Sequence, residues 1–230
     1  MRWKRPAKLM ALAVVGALSV ASSNTPWHAT VEVSDRAHTV GNPEAETKLT
    51  EFVSYTCPHC AEFAIKGDPP LQLAYIGTGK LKLEVRPVIR NSVDLVATML
   101  VQCGDASKFP RNHTMFMLSQ RGWLPITQRA SQAQVARWTA SDKAAARRAI
   151  ANDLGFYGLM EARGYSRVDS DKCLNDQSQA DRLEANTDAD SAEFDVHSTP
   201  SFAIDGKLLK DVHEWTSLET ALNSQLQEPK

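Results

Sequence analysis

The sequence of 230 residues predicts an α/β protein in which one mixed sheet is interrupted by a helical domain inserted in its middle. Three observations lead there. Residues 48–55 and 81–86 alternate with the period of two that a strand requires. From Ser92 the hydrophobic period lengthens to the helical value and stays there for about a hundred residues. Strand character then returns at 201–204, closed by the turn pair Asp205-Gly206.

Taken in order, residues 22–37 lack periodicity and read as a lead-in, and 39–43 as a short extended piece ending in turn residues. In the strand at 48–55, Leu49, Glu51, Val53 and Tyr55 share one face, while Thr50, Phe52 and Ser54 share the other. Cys57-Pro58-His59-Cys60 opens a helix that ends at Gly67-Asp68-Pro69-Pro70. A short helical piece covers 71–76. The strand at 81–86 stops at Pro87 or runs a residue or two past it at an edge.

In the inserted segment, Asn91 with Asp94 reads as a helix cap, and Val93, Val96, Ala97, Leu100 and Val101 share a face that stops at Gly104. Ser131 with Gln134 is a capping box before an Ala/Arg-rich helical stretch to Gly155, in which 144–148 read as a solvated face. Further helical pieces cover 156–162 and about 169–192. Phe116, Trp123 and Trp138 read as core. After the hairpin around Asp205-Gly206, Thr216 with Glu219 reads as the cap of a last helix bearing Leu218, Ala221 and Leu222.

Composition narrows the class. The chain is 43% hydrophobic and 23% charged, close to a globular average and unlike a disordered chain. No apolar run reaches the ~18 residues of a membrane span. The first residues are basic (Arg2, Lys4, Arg5, Lys8), followed by an apolar stretch from Leu9 to about Ala21 and small polar residues. That is the pattern of a cleavable signal peptide over 1–21, cut after Ser19-Val20-Ala21 or Ala17-Leu18-Ser19; the alternative is a buried or uncleaved N-terminal helix. Export places the protein in an oxidising compartment, the periplasm. Without the four leader cations, 22 basic residues face 27 acidic ones, which argues against nucleic acid as a partner.

Cys57-x-x-Cys60 carries the chemistry. Two thiols at this spacing close a small disulfide ring across the first helical turn. The first thiol sits at the positive end of the helix dipole, where free N–H groups stabilise a thiolate. An ordinary thiol is only about 3% ionised at pH 7, and a helix N-terminus changes that. Pro58 fits the first helical position, where no N–H is needed, and His59 supplies charge or a donor beside the Cys57 sulfur. Zinc is the rival reading, but Cys103 and Cys173 stand 70 positions apart and no closely spaced histidine pair occurs. No metal and no organic cofactor is implied. The order strand, CPHC, helix, then Thr199-Pro200 before a late strand, favours redox chemistry.

Residues 51–63, Glu51-Phe52-Val53-Ser54-Tyr55-Thr56-Cys57-Pro58-His59-Cys60-Ala61-Glu62-Phe63, resemble the active-site region of the DsbA-type thiol-disulfide oxidoreductases. The resemblance covers about Thr39 to Leu226 and implies a thioredoxin-like fold, divided as 38–91, a helical insertion at 92–195, and 196–230. It implies that Cys57 forms the mixed disulfide with substrate, that Cys60 resolves it, and that a cis Pro200 faces them. Thr199 and Pro200 would then bind an extended substrate strand. Threonine before that proline is similar to the disulfide isomerases and to the DsbA-like branch with a second disulfide; the enteric DsbA has valine there. Glu51, six residues before Cys57, lies among apolar neighbours, where burial would raise its pKa and let it exchange a proton with Cys60. Cys103 and Cys173 each fall in a helical stretch; export favours their pairing and the resemblance supports it, with two buried free thiols as the alternative. The remaining histidines show no shared spacing, and His197 reads as a surface loop residue.

The function implied is donation of the Cys57–Cys60 disulfide to reduced, unfolded exported polypeptides, with a DsbB-like membrane partner as reoxidant and the monomer as default. A disulfide isomerase or specialised reductase is the alternative within this chemistry. A non-enzymatic holdase is the alternative outside it.

Overall fold

The structure, a computed structural model, describes Met1 and residues 26–227, so the leader read over 1–21 lies, Met1 apart, outside the described residues. Among the described residues six strands form one sheet in the order β1-β2-β4-β3-β5-β6. They are β1 Val31–Val33, β2 His38–Gly41, β3 Thr47–Val53, β4 Leu81–Pro87, β5 Ser201–Ile204 and β6 Lys207–Leu208. Only β3 and β4 run parallel, with Glu51 opposite Val85. Parallel neighbours need a crossover; here α1 (Pro58–Lys66), α2 (Asp68–Leu71) and a π-helical turn at Gln72–Ile76 supply it.

Both central strands are buried on both faces, Lys48 and Lys82 being the partial exceptions. Polar residues survive there by pairing. Thr50 donates to Glu84 at 2.9 Å, and Arg86 bonds Glu84 at 3.0 Å and Asp190 at 2.7 Å. Pro87 ends β4 inside the sheet, where Val88 donates instead to the Val53 carbonyl at 2.8 Å. Asp205 and Gly206 take φ of +49° and +83°, the left-handed pair that a two-residue hairpin demands.

Between β4 and β5 lie seven α-helices: α3 Ser92–Val101, α4 Phe109–Gln128, α5 Gln132–Trp138, α6 Lys143–Asp153, α7 Phe156–Ala162, α8 Arg167–Leu174 and α9 Gln177–Phe194. The last helix, α10, is Trp215–Gln227. Arg86 on β4 and Arg36 both reach Asp190 on α9, at 2.7 and 3.2 Å, tying the helical segment to the sheet. Phe116, Trp123 and Trp138 are buried in a hydrophobic cluster continuous with the sheet.

Several elements differ from the sequence reading. The lead-in contains a 3-10 turn at Trp27–Ala29 and the edge strand β1, too short to show a period. Asp68-Pro69-Pro70 does not break the chain but begins α2, because a first helical turn has no use for the missing N–H groups. The twenty-residue α4 escaped the sequence reading because Pro110, Gly122 and Pro125 punctuate it. The Ala/Arg-rich stretch is two helices, the second capped by Asp142, which accepts from Ala145 at 2.9 Å. Its expected solvated face is largely covered: Arg147 is buried and donates to the Leu174 carbonyl at 2.6 Å. The stretch at 169–192 breaks at Asn175–Asp176, where Asp176 caps α9. Thr216 lies inside the first turn of α10 and is not its cap.

Cys103 lies two residues beyond α3, outside the helix expected to hold it, and is bonded to Cys173 on α8. Gly104 follows with φ +82°, and a Cβ there would sit 2.9 Å from the Tyr165 ring, so glycine is required twice over. A cross-link spanning 70 residues stabilises by at most about 4 kcal/mol in the chain-entropy model. The double variant Cys103→Ala/Cys173→Ala should therefore unfold at lower denaturant, by up to that amount, while its Cys57 reactivity stays unchanged. Equal midpoints in urea titrations would remove the stabilising role.

Candidate functional site

The site grows from the end of β3. Ser54, Tyr55 and Thr56 turn the chain so that Cys57 becomes the N-cap of α1, with extended backbone, and Pro58 occupies the first helical position. Cys57 and Cys60 are both buried and carry free thiols. The Cys57 thiol is pulled down to about 4. The largest cause is the Cys60 thiol donating to the Cys57 sulfur, followed, against the cost of burial, by Thr199 and the backbone N–H groups of Cys60 and His59. Cys60 moves the other way, pushed well up by burial, by its bond to Cys57 and by the Cys57 and Glu51 charges. One sulfur is built to ionise and the other to keep its proton.

His59 supplies a donor beside the Cys57 sulfur, and does so through its backbone N–H. The ring is exposed and lines a cavity of about 220 Å³ with Glu62, Phe63, Lys66, Glu214 and Trp215. Thr199 and Pro200 stand across from Cys57. The Thr199–Pro200 peptide is cis, and the Cys57 thiol donates to the Thr199 carbonyl at 3.0 Å. The Thr199 hydroxyl is buried with no other partner, free to turn toward an ionised sulfur. His213 Nδ1–H donates to the Pro200 carbonyl at 2.7 Å, a role no spacing in the sequence announced.

Glu51 lies beneath Cys60, 2% exposed, with Oε2 unpartnered. Burial, then repulsion from Asp68, holds its carboxyl well above the usual carboxylate range, which favours the protonated form. His197 is exposed and bonds only its neighbour Asp195, at 2.8 Å.

Three supporting residues were missed as such. Asp94, read as a cap partner, instead turns its fully buried carboxylate to the active-site turn. It accepts from Ser54 Oγ at 2.9 Å, Thr56 N at 2.8 Å and Thr56 Oγ1 at 2.8 Å, while Asn91 caps α3 alone. Gln120 on α4 donates from Nε2 to the carbonyls of Tyr55 at 2.7 Å and Cys57 at 2.9 Å. His113, also on α4, bonds the Tyr55 hydroxyl at 2.9 Å and packs with His38 around Phe109. The signal was available: Phe109, Asn112, His113, Phe116, Met117, Gln120 and Trp123 recur at helical spacing, with polar members inside the stripe. Among the described residues, no group of three or more His, Cys, Asp or Glu side chains could hold a metal.

A thioredoxin family model matches residues 34–224. A "Putative protein-disulfide oxidoreductase" of Rickettsia felis is 29% identical over 206 residues, which is 89% of this chain and 66% of that protein. A second, from Rickettsia conorii, is 29% identical over 202 residues, 87% of this chain and 64% of that one. The chain thus spans slightly less than two thirds of the length of these relatives. Among solved structures, a protein-disulfide isomerase from Novosphingobium aromaticivorans is 40% identical with a TM-score of 0.81, covering 85% of this chain and 100% of the other. Wolbachia pipientis alpha-DsbA1 has the same fold at 18% identity, TM-score 0.61, covering 88% and 96%.

Two outcomes follow from the geometry. In the reduced protein Cys57 should alkylate rapidly below about pH 6 while Cys60 stays protected, read by mass after timed quenching; equal labelling of both thiols contradicts the split. Gln120→Leu leaves the Tyr55 and Cys57 carbonyls without their donor in a buried place, so stability should fall by about 1–3 kcal/mol in urea unfolding.

Proposed function

The chain belongs to the thioredoxin family, and from that premise we propose that it is an enzyme, a protein thiol-disulfide oxidoreductase that donates its Cys57–Cys60 disulfide to cysteine pairs of folding exported proteins. The carrying observation is the opposed tuning of the two sulfurs, Cys57 down to about 4 and Cys60 well up. In the oxidised enzyme a client thiolate attacks Cys57; the Cys57–Cys60 bond breaks, a Cys57–client disulfide forms, and Cys60 leaves with the electron pair. Cys60 then takes a proton from the neutral carboxyl of Glu51. A second client thiolate attacks the client sulfur of the mixed disulfide, forming the client disulfide and releasing Cys57 as its stable thiolate. The client loses two electrons and the enzyme gains them.

Each unit by which the Cys57 pKa falls stabilises the reduced form by about 1.4 kcal/mol, or about 30 mV in a two-electron couple. The sign favours electron acceptance. Because the folded value is depressed, this stabilisation is complete above the unfolded thiol's pKa and is lost as pH falls through about 4. Beside α1, Phe63 and Trp215 together with Glu62, Glu214 and Lys66 offer a client chain a mixed apolar and charged groove. We place the enzyme in the periplasm, exported by residues 1–21, reoxidised there by a DsbB-like membrane partner, and working as a monomer.

A second reading, disulfide isomerase, draws on the name of the 40% identical Novosphingobium protein and on Thr199 before the proline. Equilibration with glutathione, read by mass, tests both. A potential well above that of the glutathione pool, with turnover of a reduced two-cysteine peptide, is the oxidase result. A potential close to thioredoxin's, with repair of a scrambled protein, makes it an isomerase. Binding of the reduced peptide without turnover leaves only a holdase.

A further inference from the structure

A cavity of about 600 Å³ opens between α3, α6 and α9, and none of Cys57, Cys60, Thr199 and Pro200 lines it. That volume falls in the range of about 300–1,000 Å³ typical of sites for small organic molecules. Its apolar lining comes from Leu95 on α3, Trp138 at the end of α5 and Ile150 on α6, all buried, with Ile89 half-buried. Its charged lining is divided by helix. α6 supplies Lys143 and Arg147, one turn apart. α9 supplies Asp181, Glu184 and Asp188, which recur at the three- and four-residue spacing of a single helical face.

Two features set this lining apart from an ordinary solvated face. Arg147 is 4% exposed, and only two of its guanidinium nitrogens have partners. Nε donates to the Leu174 carbonyl at 2.6 Å and Nη1 to Gln177 Oε1 at 3.0 Å, both neutral acceptors, while Nη2 is buried with none. A buried cation without a counter-ion is costly. Burial works against the Arg147 charge, and Asp181 and Glu184 support it only through space. The second feature is a set of pairs that do not form. Among the described residues no ion pair joins Lys143 or Arg147 to Asp181, Glu184 or Asp188, although all five line one cavity. Arg90, the other cation there, is committed to Asp94 at 3.7 Å and to Thr56 Oγ1 at 3.3 Å.

We propose that this cavity binds a short peptide in its zwitterionic form, carrying an apolar side chain. Its carboxylate would meet Arg147 and Lys143, its ammonium group Glu184 and Asp188, and its side chain Leu95, Trp138 and Ile150. The site lies beyond the thiol chemistry and does not rest on it. A guanidinium is the donor best matched to a carboxylate, because its planar fork makes charge-assisted bonds in a fixed geometry. A simple anion answers Arg147 but is repelled by the acids of α9, and a simple cation meets the reverse. An uncharged apolar molecule answers neither. A zwitterion with an apolar body uses all three parts of the lining. Both charges belong to the ends of a free peptide, so an internal stretch of a long chain lacks them.

The test titrates the isotope-labelled protein with the free tripeptide alanyl-leucyl-alanine. It follows the Trp138 indole N–H by NMR, the signal being identified by its loss in Trp138→Phe. Saturable movement of that signal at millimolar peptide or below is the expected result. Acetylating the amino end or amidating the carboxyl end should each weaken binding by about tenfold, the scale of one charge-assisted contact. Glu184→Gln with Asp188→Asn, two exposed positions, should weaken the free peptide by about tenfold and leave the acetylated one where wild type has it, which isolates the ammonium contact. Arg147→Lys, which keeps the charge and gives up the fork, should weaken the free peptide about as much as amidation does. If that variant does not fold, the α9 pair still decides. A Trp138 signal that never moves, or a peptide with either end blocked that binds as tightly as the free one, overturns the proposal. So does free-peptide binding that the α9 pair leaves intact.

Discussion

A negative charge on one sulfur, held at a helix end in a nearly dry pocket, is the constraint to which the rest of the structure answers. Burying an ion is costly unless donors replace the lost water. At Cys57 the replacements are a thiol from one turn along the helix, two backbone N–H groups left free because a first turn has no partners for them, and Thr199. All four depend on the backbone placing the sulfur at the N-cap and not inside the helix. Pro58 helps, because its ring presets the first helical position and removes no useful donor. The same donor relation pushes Cys60 the other way, so the two thiols cannot share a role.

Holding the N-cap in place falls largely to residues outside the strand and helix that form it. Asp94 at the start of α3 gathers Ser54 and Thr56, and Arg90 N at 3.2 Å, around one buried carboxylate. Gln120, midway along α4, clamps the two carbonyls on either side of Thr56. The helical segment is thus part of the active site's scaffold, and Arg86 with Asp190 anchors its far end to β4. Buried polar groups such as these are tolerable only when each finds a partner, and here nearly all do. Glu51 and Gln72 are exceptions, each leaving one buried oxygen without a partner.

The sheet's strands and the CPHC helix were legible because alternation, a helix-opening proline and the Asp205-Gly206 turn are local signals. Both faces of β3 and β4 being buried was not, since Thr50, Glu84 and Arg86 look like solvent-facing residues until their mutual bonds are seen. The sequence shows that Asn91 can cap a helix; it does not show that Asp94 faces backward to another element. α4 hid because proline and glycine weaken a helix in isolation, whereas its buried stripe pays for them through packing. Asp68 was read as punctuation for a related reason. A Gly-Asp-Pro-Pro run has the composition of a turn, and only the tertiary fold puts its carboxyl near another.

Thr199 is placed so that the ionisation of Cys57 changes what its backbone carbonyl can bind. As a thiol, Cys57 donates to the Thr199 carbonyl at 3.0 Å and occupies it. As a thiolate, the sulfur has no proton to give, and two electron-rich atoms at that distance repel. The Thr199 hydroxyl, buried and unpartnered, then turns its proton to the sulfur, and the carbonyl is left needing a donor. Under the proposed function an extended client chain would supply one in its backbone N–H, as strand addition does at any open sheet edge. His213 holds the next carbonyl, that of Pro200, so the cis turn keeps its shape while its neighbour changes partner. Charging the sulfur and freeing that backbone carbonyl are in this way one event for any residue before the proline; what the Thr199 hydroxyl adds, and valine could not, is a donor for the charged sulfur.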